Sequence, residues 1–277
     1  MRYGKIVRLA EAKDAYAHFT ALRDSGFDGC QLVFKPEVYT DEDAELIRCA
    51  AKDAGIEIFT IFAGFRDSFT KWNIYSDYLD AGINSKKYGP DRVSYLKKTA
   101  NFACRLGVKE ILIHAGFVAN NPFSDEYGYM VATLMELAKY CGEIGISILL
   151  ETGGESPVTL LRLIEDTGLD NLFVNLDTAN LIMYGYGNPR DAVYTLGERI
   201  RSVHIKDGLP PTTSRELGSE VDFGTGHVDF PRVLSDLIAK GYSGPIIIER
   251  EINDGRADEE ILRTKSQLEL IFEEIAK

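Results

Sequence analysis

Four residues of types that commonly bind metal ions stand at or near the ends of short apolar runs: Glu151, Asp177, His204 and Glu249. Three carboxylates and one imidazole suit Mn²⁺, Mg²⁺, Co²⁺ or Zn²⁺, and the lack of a nearby thiol argues against a structural zinc site. With a neutral imidazole, the three carboxylates would give the group a formal charge of −3, which is strongly self-repelling without a cation. Any one of these residues alone is more often a helix cap or a salt-bridge partner. Together they predict one divalent metal ion, with Mn²⁺ as the first choice.

The apolar runs that precede these residues are typical of strands buried on both faces, because they are short and lie between helical patterns. A side chain at the C-terminal end of such a strand lies where parallel α/β folds place their ligands. The four runs, each written with its candidate ligand, are 146–151, 172–177, 200–207 and 245–249.

The same strand–helix unit repeats along the whole sequence. Earlier strands are predicted at 5–9, 29–34, 56–62 and 110–114, and helices at 11–25, 40–55, 91–106, 125–143, 156–167, 189–197, 230–240 and 258–275. Eight strands alternating with eight helices fit the ~250 residues of a (β/α)8 barrel, in which the ends of strands five to eight converge on one pocket. A doubly wound open sheet is the competing fold, but eight repeats exceed its usual strand count and no GxGxxG motif follows the first strand.

Composition and charge narrow the functional class. Hydrophobic residues make up 45% of the 277 residues, which is enough for a sizeable core, and the net charge of −12 argues against a general affinity for nucleic acid. The sequence has no signal-peptide pattern at its start and no apolar run near the ~18 residues of a membrane span, so no membrane partner is expected. Four scattered cysteines without a CxxC pair are typical of buried thiols in a reducing compartment, and we expect a cytoplasmic protein.

Two long connections, 63–88 and 208–229, follow predicted strands and therefore belong to the C-terminal face of a barrel. The aromatic content of the first argues against disorder. This connection could cover a substrate or form a surface helix packed on the barrel rim, and the sequence favours neither. Trp72 and Phe117 could line the apolar face of a sugar, although packing in the core or at the rim is the simpler role.

Five stretches resemble the xylose-isomerase-like TIM barrels: 148–151, 174–180, 203–207, 224–230 and 246–249. The resemblance extends over nearly the whole chain and is greatest to the sugar and sugar-phosphate isomerase/epimerase branch, which includes ketose 3-epimerases, hydroxypyruvate isomerase and inositol-pathway enzymes. It implies one TIM barrel domain over residues 1–277, with a divalent metal ion held by Glu151, Asp177, His204 and Glu249. It also implies that Glu151 and Glu249 act as an acid/base pair on opposite faces of the substrate.

The implied chemistry is proton transfer next to a carbonyl group. A metal ion held by two substrate oxygens would polarise the carbonyl and acidify the adjacent C–H. One glutamate would remove that proton to give an enediolate, and the other would return a proton to the opposite face or to the neighbouring carbon. We therefore expect a sugar isomerase or epimerase, first of all a ketose 3-epimerase or an aldose–ketose isomerase, that acts on a small, non-phosphorylated sugar. Family members often form dimers or tetramers, which makes a homodimer or homotetramer the implied assembly.

Other functions fit the same scaffold. A lyase or dehydratase would use the same enolate and then expel a β-substituent, and sequence does not separate it from an isomerase. A DNA-repair phosphodiesterase would need several metal ions and a cationic groove. Many family members, including the apurinic-endonuclease branch, carry a histidine where this chain has Asn180, and an amide is a poor ligand for a second zinc ion. A non-catalytic sugar-binding barrel would be expected to lack one of the two glutamates.

Several further residues are candidates for substrate binding. Asn180 could hydrogen-bond a sugar hydroxyl, and Arg215 is a loose match to the arginine with which the family's epimerases contact substrate. His114 ends the fourth strand, where it could bind a hydroxyl or simply be a structural histidine. Lys206 shares a strand face with His204, so it could stabilise an enediolate oxygen or, as the sequence slightly favours, pair with a ligand carboxylate.

Two candidates lie in loops that follow predicted strands. His227, in a Gly-rich turn, could hold the substrate or the loop itself. Glu155 could orient a substrate hydroxyl, but we expect it rather to cap the helix that starts near Ser156.

Overall fold

Eight parallel strands close into a barrel in the computed structural model, which describes residues 1–36, 38–64, 75 and 81–277. The barrel strands are β1 (Arg2–Val7), β2 (Gly29–Phe34), β3 (Glu57–Ala63), β4 (Glu110–Ile113), β5 (Ser147–Glu151), β6 (Leu172–Asp177), β7 (Ile200–Ile205) and β10 (Pro245–Ile248). Their order around the barrel is β1-β10-β7-β6-β5-β4-β3-β2. Closure confirms the predicted single-domain (β/α)8 barrel and excludes the open sheet.

Helices surround the barrel. Those in the described residues are α1 (Ala15–Asp24), α2 (Asp41–Ala54), α3 (Gly89–Leu106), α4 (Asp125–Glu143), α5 (Pro157–Thr167), α6 (Asn180–Tyr184), α7 (Pro189–Leu196), α8 (Phe230–Ala239) and α9 (Ala257–Ile275). Local chemistry sets their ends. Helix α2 begins after Thr40, which forms a capping box with Asp43, and stops at Gly55, whose φ of 71° is left-handed.

The apolar runs supply both faces of the barrel wall. In β5, Ile148 and Leu150 belong to the cluster that packs between the strands and the helices. Because side chains alternate along a strand, Leu149 and Glu151 point the opposite way, into the barrel. The run is therefore apolar on both faces because both faces of the strand are buried. Its last inward-pointing position is occupied by the candidate ligand Glu151.

The first strand begins earlier than predicted, at Arg2 instead of Lys5, because Arg2 to Lys5 pair with Pro245 to Ile248 of β10. Gly4 concealed this start, since glycine is a poor strand former. The backbones need it here, because a Cβ atom at Gly4 would lie 2.8 Å from the carbonyl oxygen of Gly29.

Two short elements at the C-terminal face were not predicted. Helix α6 has five residues, which is too short to show a helical period. The second long connection contains an antiparallel hairpin of β8 (Asp207–Leu209) and β9 (Ser219–Val221). Both elements lie next to strand ends that carry candidate ligands, on β6 and β7.

Most of the first long connection, including Trp72, lies outside the described residues, and so do the two alternatives proposed for it. Its described end packs against the loop after β4: the amide of Ile83 donates to the carbonyl of Ala115 at 2.7 Å, and the side-chain amide of Asn84 donates to the carbonyl of Phe117 at 2.9 Å. This end of the connection therefore reaches the C-terminal mouth of the barrel.

None of the helices in the described part of the chain is both long enough and apolar enough to cross a membrane.

Candidate metal centre

Four side chains from neighbouring strands converge at the C-terminal mouth of the barrel, and we call them the ligand cluster: Glu151 (β5), Asp177 (β6), His204 (β7) and Glu249 (directly after β10). One ligand atom from each lies within 4.8 Å of the others. All four are buried, with exposed fractions between 0% and 8%. The structure thus brings together the four residues that the sequence pattern selected.

The imidazole of His204 lies at the centre of the ligand cluster. Its Nδ1 atom is 3.0 Å from Oε2 of Glu249 and 3.2 Å from Oε1 of Glu151. Oδ2 of Asp177 lies further away, at 3.9 Å from the same nitrogen. The two glutamates therefore flank one nitrogen atom, and all three carboxylates face a common point.

Lys206 closes one side of the ligand cluster. Its Nζ atom lies 3.0 Å from Oδ2 of Asp177, 3.1 Å from Oε2 of Glu249 and 3.4 Å from Oε2 of Glu251. The side chain is only 1% exposed, so these ion pairs are weakly screened. Of the two roles considered for Lys206, pairing with ligand carboxylates is the one that these distances describe.

Two carboxylate oxygens of the ligand cluster are well suited to a cation. Within the described part of the chain, Oε2 of Glu151 and Oδ2 of Asp177 are buried and accept no hydrogen bond of acceptable geometry, although His114 lies 3.3 Å from the former and Lys206 lies 3.0 Å from the latter. The other oxygen of Asp177 is fixed, because it accepts from the backbone amides of Ala179 and Asn180 at 2.8 and 2.7 Å. Buried polar atoms normally have partners, so these free lone pairs and the oxygen and nitrogen donor set fit a divalent metal ion.

The carboxyl groups of the ligand cluster differ in pKa. Burial raises the pKa of Asp177 to about 7, against the opposing effect of Lys206 and with help from the two glutamates. Burial also acts to raise the pKa of Glu249, but Lys206 and His204 outweigh it and hold that pKa well below its usual value. For Glu151, His114 and His204 likewise outweigh burial, so its pKa is lowered. At neutral pH both glutamates are therefore ionised and Asp177 is partly protonated.

The surrounding acids also control His204. Burial acts to lower its pKa, but the charges of Glu249 and Glu151 dominate and raise that pKa well above the usual value for histidine. The imidazolium thus supplies part of the positive charge that the carboxylates need. A metal ion that binds to Nδ1 has to displace this proton.

A small cavity beside the ligand cluster contains several of the predicted substrate-binding residues. His114 lines it, with Nε2 3.3 Å from Oε2 of Glu151, and so does Asn180, whose side-chain amide donates to Oε1 of Glu151 at 3.4 Å. Phe117 and Tyr184 line the same cavity, and their ring centroids are 5.8 Å apart. The cavity thus combines polar groups at the ligand cluster with an aromatic side, but its volume of about 20 Å³ is that of a single water molecule.

Glu155 also lines this cavity, and the prediction that it caps helix α5 is wrong. Ser156 is the N-cap and accepts a hydrogen bond from the amide of Thr159, because Pro157 occupies the first helical position. Glu155 instead is 3% exposed, and its Oε1 atom has no hydrogen-bond partner among the residues that the structure describes. Burial raises its pKa to about 8, so at neutral pH it is largely a protonated acid.

For the remaining candidates, no hydrogen bond or ion pair to the ligand cluster is seen in the described part of the chain. Arg215 is exposed in the connection between β8 and β9, and no hydrogen bond or ion pair joins it to another described residue. The side chain of His227 is also exposed, while its backbone amide donates to the carbonyl of Gly208 at 2.9 Å. Trp72 lies outside the described residues.

Sequence reasoning missed three residues around the ligand cluster. The side chain of Gln31, on β2, contacts His204. Tyr184 lines the adjoining cavity. Asp207 accepts hydrogen bonds from the backbone amides of residues 208, 224, 226 and 228, which fixes the Gly-rich turn at the mouth. A lone amide in an otherwise apolar strand was a signal for Gln31, since buried polar groups need partners.

Comparison with known proteins places these features in a family. A solved structure described as a xylose isomerase domain protein from Planctomyces limnophilus is similar with a TM-score of 0.88 and 30% identity, covering 99% of this chain and 97% of that one. The inosose dehydratase of Lacticaseibacillus casei is 24% identical over 227 residues, or 71% of this chain and 76% of the dehydratase. The L-ribulose 3-epimerase of Mesorhizobium japonicum is 27% identical over 168 residues, or 57% of this chain and 53% of the epimerase.

The sequence pattern of the xylose isomerase-like TIM barrel family matches residues 19–267, which include every strand of the barrel except β1 and every member of the ligand cluster. The chain therefore belongs to the xylose isomerase-like TIM barrel family.

Proposed function

We propose that this protein is a divalent-metal-dependent sugar epimerase or isomerase, first of all a ketose 3-epimerase, with Mn²⁺ as the first-choice ion. The observation that carries the proposal is the ligand cluster, in which three buried carboxylates and one imidazole meet within 4.8 Å at the C-terminal mouth. Active sites of TIM barrel enzymes lie at this mouth. The L-ribulose 3-epimerase among the relatives supports the reaction class.

In this proposal Glu151, Asp177, His204 and Glu249 would hold the ion. When bound, a divalent ion polarises a substrate carbonyl and lowers the pKa of the adjacent C–H. Every other step falls to the protein's own side chains.

Glu151 and Glu249 are proposed as the acid/base pair. Both pKa values are lowered, so both groups are ionised and able to accept a proton at neutral pH. One carboxylate removes the proton next to the carbonyl and later releases it to water. The other takes a proton from water and returns it to the carbon skeleton, which inverts the carbon or moves the carbonyl. Lys206 holds the carboxylates of Asp177 and Glu249 in place at 3.0 and 3.1 Å.

His114, Asn180 and Glu155 are proposed to orient the sugar. All three line the cavity beside Glu151. The Oε1 atom of Glu155, which has no partner in the described ranges, is proposed to bind a substrate hydroxyl. The aromatic rings of Phe117 and Tyr184 would face the apolar side of the sugar.

Dehydration is a second candidate reaction, and the inosose dehydratase among the relatives is the observation that favours it. The first step would be the same proton removal, after which a β-hydroxyl group would leave as water. The two reactions therefore differ in their products and share their site.

The test is incubation of the Mn²⁺-loaded protein with a panel of ketoses and an inosose in D₂O. Deuterium at C3 of a ketose supports epimerisation, and deuterium at C1 or C2 supports isomerisation. Formation of an unsaturated ketone from the inosose would support dehydration instead. No exchange and no product with any substrate would contradict the whole proposal. Glu249→Gln should slow the reaction on the order of 10³-fold, whereas Glu57→Gln at the opposite end of the barrel serves as a matched control.

A further inference from the structure

A buried amide reaches across the barrel to the ligand cluster. Gln31 lies on β2 and is 0% exposed. Its contacts are on β7, although β1 and β10 separate these two strands around the barrel wall. The side chain therefore crosses the barrel interior beneath the candidate metal centre.

The two ends of this amide have separate partners. Oε1 of Gln31 accepts a hydrogen bond from Nε2 of His204 at 2.7 Å, and its Nε2 donates to Oγ of Ser202 at 3.2 Å. Ser202 and His204 are two residues apart on one strand, so both side chains point to the same face. In this arrangement the amide nitrogen of Gln31 faces Ser202 and the amide oxygen faces the imidazole.

A carbonyl oxygen can only accept hydrogen bonds, so the atom that faces it has to carry a proton. In a neutral imidazole only one nitrogen carries a proton and the other has a lone pair. A proton on Nε2 of His204 therefore leaves the lone pair on Nδ1, the atom that lies 3.0 Å from Glu249 and 3.2 Å from Glu151.

We propose that Gln31 is a positioning residue for the candidate metal centre: it holds His204 in the tautomer and ring orientation that present Nδ1 to the ion. This inference rests on the proposed metal dependence of the function. Metal-binding histidines usually donate their second N–H to a carboxylate, a carbonyl or a water molecule, and such partners affect metal affinity. An amide does this without adding a fourth negative charge to the buried carboxylates.

A purely structural role would have a different signature. If Gln31 only filled the barrel interior, an apolar side chain of similar length would preserve metal binding and affect stability alone. In the positioning role the same change leaves the N–H of a metal-bound His204 buried without an acceptor, and metal binding itself weakens.

The experiment compares Mn²⁺ binding by calorimetry in the wild-type protein, Gln31→Met, Gln31→Glu and Gln267→Met. Methionine is close in length to glutamine and has no strong acceptor, whereas glutamate keeps the acceptor. Gln267 is a half-buried glutamine on the outer helix α9 and provides the matched control. We expect Gln31→Met to bind Mn²⁺ about 10- to 100-fold more weakly, Gln31→Glu to recover most of this loss, and Gln267→Met to match the wild type. Wild-type affinity in Gln31→Met would overturn the proposal.

A second measurement does not depend on any variant. In ¹⁵N-labelled wild-type protein loaded with diamagnetic Zn²⁺ or Mg²⁺, long-range ¹H–¹⁵N spectra report which nitrogen of His204 is protonated. A proton on Nε2 and a metal ion on Nδ1 support the proposal, and the reverse arrangement overturns it even if Gln31→Met fails to fold.

The outcomes also separate this inference from the proposed function. If the wild-type protein binds no divalent ion, both fail together. If it binds Mn²⁺ and Gln31→Met is weakened, but no sugar exchanges deuterium, the role of Gln31 stands and the proposed reaction fails. If sugars react but Gln31→Met binds Mn²⁺ normally, only the role of Gln31 fails.

Discussion

The two mouths of the barrel carry charged residues in opposite ways. The N-terminal mouth has a cavity of about 760 Å³ with acidic and basic side chains around it. Two of its ion pairs reach the solvent: Arg2 lies 2.6 Å from Glu57, with exposed fractions of 46% and 56%, and Arg201 lies 3.0 Å from Glu110, with exposed fractions of 42% and 20%. At the C-terminal mouth, three acids are buried together and two of their oxygens accept no hydrogen bond from any described residue.

This difference shows why cavity size alone does not locate the site. Exposed ion pairs are screened by water and contribute little to stability, and cations near helix C-termini, such as Lys52 in α2, also complement the helix dipole. Buried acids that crowd one another cost free energy, so their presence indicates that a function retains them. The buried acids at the C-terminal mouth, and not the large cavity at the N-terminal mouth, are therefore the candidate site.

Matched glutamate substitutions test the functional difference between the two mouths most directly. Glu249→Gln removes one member of the proposed acid/base pair together with a metal ligand, and we expect kcat/KM for the sugar reaction to fall on the order of 10³-fold. Glu57→Gln should leave kcat/KM unchanged, because Glu57 lies at the start of β3 and pairs with Arg2 at the surface. A Glu249→Gln variant that retained a tenth of wild-type activity would contradict this assignment.

The affinity of the ligand cluster for a metal ion should also depend on pH. The pKa of His204 is raised by Glu249 and Glu151 against the effect of burial, and burial raises that of Asp177 to about 7, so both groups hold protons that a metal ion has to displace. Affinity for Mn²⁺ should therefore increase from pH 6 to pH 8, by about tenfold per pH unit for each proton displaced. Calorimetry in buffers of different ionisation enthalpy measures both the affinity and the proton release. A dissociation constant that does not change between pH 6 and pH 8 would contradict the account.

A smaller effect is expected on the stability of the metal-free protein, which should increase when a buried acid is replaced. Because the pKa of Asp177 is raised above its usual value, the folded state binds this proton more tightly than the unfolded state does. The ionised carboxylate therefore costs stability as pH rises through about 4 to 7, and Asp177→Asn should remove that cost at pH 8.

We expect Asp177→Asn to raise the free energy of unfolding in EDTA by about 1–3 kcal/mol and to abolish stabilisation by Mn²⁺. Asp236→Asn is the matched control, because a hydrogen bond from Arg190 lowers the pKa of Asp236 and the same substitution should not stabilise the protein. Chemical denaturation at pH 8 measures both. Destabilisation of the protein by Asp177→Asn would argue that its buried charge is already compensated.

The smallest effect is expected at the N-terminal mouth. Glu57→Gln breaks the surface pair with Arg2, which should change the free energy of unfolding by less than about 1 kcal/mol and should weaken further in high salt. Denaturation at two salt concentrations tests this. A larger loss would mean that the N-terminal pairs are important for stability.

Much of the fold could be predicted because its signals are local. Runs such as Ile148 to Leu150, with a polar residue at the C-terminal end, indicate both a buried strand and its functional position. The start of β1 was missed because Gly4 is explained only by its close approach to Gly29 of the next strand. The five-residue helix α6 is too short to show a period.

The parts of the site that escaped prediction depend on partners distant in sequence. Gln31 and His204 are 173 residues apart and meet only because the barrel closes. Glu155 was expected to cap a helix because its position is adjacent to Ser156, and only the three-dimensional structure shows it turned into the cavity. The sequence thus predicts which side chains stand at the strand ends, but it does not predict the contacts that orient them.

The central claim is that a divalent ion joins the three buried acids and His204. Its most direct test is an anomalous difference map from crystals soaked in Mn²⁺, collected near the manganese absorption edge. We expect one strong peak bounded by Glu151, Asp177, His204 and Glu249. A map with no peak there, or with its only peak at the N-terminal mouth, would contradict it.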